Sequence, residues 1–97
     1  MTAMKNLVDS RIRALKGKSF AELLQLPAYQ DERLKHGRTT LTLATWKEAS
    51  NEHEVKVIVQ GYRYLFLGVG RMEARGFVMD RGGSARDLSK EEIYEFT

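Results

Sequence analysis

The amino-acid sequence predicts an α+β fold: two N-terminal helices packed on an antiparallel meander sheet of three to five strands, closed by a short C-terminal helical turn. Two observations carry this expectation. Residues 38–87 hold β-rich runs separated by breaks of turn-forming residues, at Gly61-Tyr62 and across residues 80–84. Ahead of them, apolar side chains recur at three- and four-residue spacing, the period of an amphipathic helix.

That first helix is expected over residues 3–16, where Met4, Leu7, Val8, Ile12 and Leu15 line one stripe. Gly17 is expected to end it in a left-handed conformation. Ser19 and Glu22 then stand at capping-box spacing, and Phe20, Leu23 and Leu24 give a second helix its apolar side. Pro27 stops that helix after about two turns. Residues 28–37 read either as an edge strand or as a loop. Residues 39–46 read as a strand with Leu41 and Leu43 on one face and Thr40, Thr42 and Trp46 on the other. A polar connection over residues 49–52 follows.

The next hairpin sets a register. With Gly61-Tyr62 as a two-residue turn, Val59 faces Tyr64, Val57 faces Phe66 and Val55 faces Gly68, all on one apolar face. Lys56, Ile58, Gln60, Arg63, Leu65 and Leu67 collect on the opposite face, and a three-residue loop would flip the set. Gly68 and Gly70 mark a bend before a strand at residues 72–79. Ser89 and Glu92 make a second capping box, with Leu88 positioned to staple onto Ile93 in a short terminal helix.

Ninety-seven residues suit one domain, residues 1–97, with a single modest core. The chain has no cysteine, which excludes disulfides and thiolate metal sites. No apolar run reaches the roughly 18–20 residues of a membrane span, and the first residues lack a secretory pattern. A cytoplasmic protein with no membrane contact is the expectation.

Candidate chemistry is sparse. His36 and His53 have no second ligand at metal spacing, so no metal is expected. The adjacent carboxylates Asp31-Glu32 and Glu91-Glu92 do not converge as an acid–base pair would, and the latter suit a helix N-terminus. Gly68-Val69-Gly70 is half of a dinucleotide fingerprint and lacks its further glycine, so no cofactor is expected. The sequence leans away from an enzyme.

Charge and aromatics point elsewhere. The net charge of +3 is unevenly spread: Lys5, Arg11, Arg13, Lys16 and Lys18 lie near the start, while Asp80, Asp87, Glu91, Glu92 and Glu95 lie near the end. Such ends attract, within one chain or across a symmetric dimer. Arg11 falls inside the apolar stripe of the first helix, which suggests an ion pair with a C-terminal acid or a stem laid over apolar surface. Arg11, Trp46, Tyr62, Arg75, Tyr94 and Phe96 are the candidate interaction surface, because aromatics and arginine favour interfaces.

The leading expectation is a non-enzymatic module that binds a protein partner or itself. A single-stranded nucleic-acid platform is the alternative, since Lys56, Arg63, Arg71, Arg75 and Arg81 are interleaved with aromatics. The hairpin register above counts against it by sending Tyr64 and Phe66 into the core, and Glu73, Asp80 and Asp87 break the basic run. A third reading places a small-ligand pocket between helix and sheet, lined by Arg11, Gln60, Tyr64 or Arg75.

Overall fold

The computed structural model describes residues 2–36, 39–64 and 70–96. In chain order its elements are α1 (Thr2–Lys16), α2 (Phe20–Leu24), β1 (Tyr29–His36), β2 (Thr39–Asn51), β3 (Glu54–Tyr64), β4 (Gly70–Asp80), β5 (Ala85–Asp87) and α3 (Lys90–Phe96). The strands form one sheet in the order β1-β2-β3-β4-β5, each antiparallel to its neighbour. This is the α+β class the sequence predicts, and residues 28–37 resolve as an edge strand over Tyr29–His36.

Both capping boxes form. Ser19 Oγ accepts from the Glu22 N–H at 3.2 Å while the Ser19 N–H donates to Glu22 Oε1 at 2.9 Å. The Ser89–Glu92 pair repeats this at 3.2 and 3.0 Å. The end of α1 differs from expectation. Among the described residues the positive-φ glycine is Gly83, not Gly17. The helix instead tightens into its stop, with Gly17 N–H bonded to the Ala14 carbonyl and Lys18 N–H to that of Leu15.

The larger correction concerns Gly61-Tyr62, which is not a turn. Strand β3 runs straight through both residues and pairs with β4: Val59 faces Arg75, Val57 faces Phe77 and Val55 faces Met79. The predicted partners Tyr64, Phe66 and Gly68 are replaced. Residues 65–69, which contain Leu65, Phe66, Leu67 and Gly68, lie outside the described residues, as does the side chain of Tyr64. Gly61 is in mid-strand for a packing reason. A Cβ built there would lie 2.8 Å from Val8 Cγ2 and 2.9 Å from Met4 Cγ, so its bare backbone lets α1 approach the sheet.

The polar connection after β2 is also shorter than expected. Residues 49–51 belong to β2, with an irregularity between Ala49 and Asn51, and the turn closes through Asn51 Oδ1, which accepts from the His53 N–H at 2.7 Å. The break at residues 80–84 is a turn as read. Asp80 Oδ1 accepts from Ser84 N–H at 3.0 Å, and Gly83 supplies φ 89°.

Side-chain alternation divides the sheet into two faces. The first packs under α1 and α2, where Val8, Ile12, Leu15 and Leu23 meet Leu43, Val55, Val57, Val59, Phe77 and Met79. The valines therefore do share an inner face, and because no turn intervenes Arg63 stays in phase with them rather than opposite. Among the described residues, the second face is covered at one end, where Leu88 and Ile93 pack on Ile58 and Val78. Gly76 makes this second contact possible, since a Cβ there would lie 2.8 Å from Leu88 Cδ1 and 2.8 Å from the Val57 carbonyl.

Candidate interaction face

Of the exposed large apolar side chains among the described residues, Tyr29 and Met72 belong to the second face and Leu24 to α2. Trp46 on β2 lies against Tyr29 on β1, opposite it in the ladder, with ring centroids 4.3 Å apart and tilted by 56°. The Trp46 indole N–H donates to Gln60 Oε1 at 3.2 Å across β2 and β3. Tyr62 continues the face on β3, where the register sets it between Thr42 and Met72. Tyr29 is 44% exposed and Met72 49%, while Trp46 and Tyr62 are half-buried. Tyr29 is also held from below: its hydroxyl donates to Asp31 Oδ2 at 2.7 Å, and that bond raises its pKa.

Of the sequence-predicted surface residues, Trp46 and Tyr62 are brought together on this face. Arg11 and Arg75 are not. Both belong to the helix-covered side, where Arg11 pairs with Glu32 of β1, and Arg75 with Asp9 of α1 at 2.8 Å. The C-terminal acid expected for Arg11 is taken by another cation: Lys16 bonds Asp87 at 2.5 Å and lies 5.9 Å above the Phe77 ring. Complementary charge does join the chain's two ends within one molecule, but through Lys16. Tyr94 and Phe96 fall within α3, and their side chains lie outside the described residues.

Of the residues expected to line a pocket between helix and sheet, Arg75 and Arg11 do border hollows there, while Gln60 is on the outer face beside Trp46. One hollow of about 190 Å³ lies between Ile12 and Lys16 of α1 and Arg75, Gly76 and Asp87 of the sheet, and one of about 170 Å³ is lined by Arg11, Glu32 and Leu43 among others. A further hollow of about 190 Å³ is lined by Met72, Glu73, Ala74, Lys90 and Ile93. Each is smaller than the roughly 300 Å³ at which small-molecule sites begin. Among the described residues no group of three or more His, Cys, Asp or Glu could hold a metal ion, and no helix is long and apolar enough to cross a membrane.

Tyr29 and Met72 share this face without standing out in the sequence. The neighbourhood of Tyr29 with Trp46 appears only once β1 is paired to β2, and that of Met72 with Tyr62 only once β3 is seen to run through Gly61-Tyr62. Comparison with protein-family models, with curated proteins and with solved structures finds no match.

Proposed function

We propose that this protein is an interaction module that takes a protein partner on the uncovered part of its second sheet face. The observation that carries the reading is the grouping of Tyr29, Trp46, Tyr62 and Met72 on one face, with two of them nearly half exposed. Aromatic and methionine side chains are enriched at the centres of interfaces, where rigid rings bury large area with little loss of freedom. Gln60 and Asp31 fix two of the rings in place by hydrogen bonds, so the surface is organised before a partner arrives.

The test is affinity capture with the tagged wild type and with Tyr29→Glu, followed by rebinding of purified components. A protein that binds the wild type directly and loses the Tyr29→Glu variant supports the reading. Equal capture by both, with the variant folded by circular dichroism, overturns it.

One observation favours a second reading, single-stranded nucleic acid. The corrected register withdraws the pairing that sent Tyr64 and Phe66 into the core, and Arg33, Lys35 and Lys56 share the second face with Tyr29, Trp46 and Tyr62 by alternation. This reading expects salt-sensitive retention on an oligonucleotide column; passage at low ionic strength excludes it.

A further inference from the structure

Among the described residues the outer edge of β4 is paired along part of its length. Strand β5 pairs with Phe77, Val78 and Met79, and the Leu88 N–H extends the ladder by one bond to the Gly76 carbonyl at 2.9 Å. Asp80 N–H bonds the Ser84 carbonyl on the same side. In an antiparallel ladder the groups facing one neighbour recur at every second residue, so the amides of Met72 and Ala74 face outward in phase with Gly76. No described strand pairs with them. An exposed edge of this kind is a template for another strand.

We infer that a second copy of this chain docks here, β4 against β4, antiparallel about a two-fold axis at Met72. The inference goes beyond the interaction-module reading, because it uses the strand edge and not the aromatic face. Charge order selects the register. With the axis at Met72, the Glu73 position faces the Arg71 position of the second copy, and by symmetry this opposition occurs twice. Ala74 then faces Gly70, and the two Met72 side chains, each 49% exposed in the single chain, meet at the axis.

Neighbouring registers fail. An axis at Glu73 opposes Glu73 to itself and Arg71 to Arg75. An axis at Ala74 draws Gly76 into the new ladder, yet its carbonyl already accepts from Leu88. The sheet's other edge is protected in the same terms. Symmetric pairing of β1 about Asp31, Glu32 or Arg33 opposes each to itself, and pairing about Leu34 opposes Arg33 to Lys35. The hollow lined by Met72, Glu73, Ala74, Lys90 and Ile93 lies at this edge, between β4 and α3.

Sedimentation equilibrium of the full chain from micromolar to millimolar concentration tests this. The wild type is expected to approach the mass of a dimer. Glu73→Arg, which sets arginine across from arginine twice, should weaken association about tenfold or more. The exchange R71E/E73R restores the opposition and should recover dimerisation, a rescue that general loss of folding cannot produce. Tyr29→Glu should leave the dimer intact, so failure of the face and failure of the edge are read separately. A strict monomer throughout overturns the inference, as does a dimer indifferent to Glu73→Arg. Binding of an extended peptide to this edge by a monomeric chain would also overturn it, in favour of a different occupant.

Discussion

Thr45 is buried to 2% exposure opposite Val59 on the inner face, and its hydroxyl has no hydrogen-bond partner. An unpaired buried hydroxyl carries a desolvation penalty that a methyl group of similar shape does not. Thr45→Val is therefore expected to raise stability by about 1 kcal/mol, read as a higher urea midpoint at unchanged slope. A lower midpoint would mean that the hydroxyl is bonded. Gly61 and Gly76 are the converse case, positions where adding one carbon harms. Gly61→Ala presses on Met4 and Val8, side chains that can shift, and should cost about 1–3 kcal/mol. Gly76→Ala meets the Val57 carbonyl as well as Leu88, and backbone in mid-sheet cannot retreat, so it should cost more. Parallel denaturation curves decide the order, and equal midpoints would refute it.

At the scale of the element, α3 depends on a carboxylate at its start. Glu92 accepts from the Ser89 N–H and from Arg86 at 3.2 Å, and these bonds, the backbone one first, lower its pKa from 4.5 to about 2. A folded-state pKa below the unfolded value contributes stability that is complete above about pH 4.5 and fades as pH falls toward 2. The Glu92 carboxyl should titrate by NMR near that lower value. Arg86→Gln should raise the midpoint only part of the way, since the Ser89 amide remains; no change would show that Arg86 does not engage it. Ser89→Ala should loosen α3 at a cost of about 1 kcal/mol. These caps were legible in sequence because their mechanism is confined to four consecutive residues. The Asp80–Ser84 turn was legible for the same reason. The glycine at position 61 was not, because turn glycines and close-packing glycines look alike until the helix above is known. Of the candidate surface residues, Trp46 and Tyr62 share the second face while Arg11 and Arg75 lie on the helix-covered side, because residue type says nothing about which face a strand presents.

At the scale of the molecule, α1 is tied across the sheet. Arg11 bonds Glu32 on β1, Asp9 bonds Arg75 on β4, and Lys16 bonds Asp87 on β5, while Val8, Ile12 and Leu15 rest on the central strands. These pairs are partly solvated, and such contacts contribute modestly and are screened by salt. Raising ionic strength from about 0.1 to 1 M should lower folding stability by no more than about 1–2 kcal/mol. A larger loss in chemical denaturation would show that electrostatics, rather than the buried aliphatic layer, fastens the helix.

The strictly sequential meander has a consequence for how the chain is made. Helix α1 is synthesised before the strands, yet its resting place under Met4 and Val8 is β3 at Gly61, and its remaining anchors are on β4 and β5. Distant contacts of this sort form only after the intervening chain has closed its loop. On the ribosome, then, α1 emerges ahead of the strands that shelter it, with its oily side bare until β3 and β4 have followed it out.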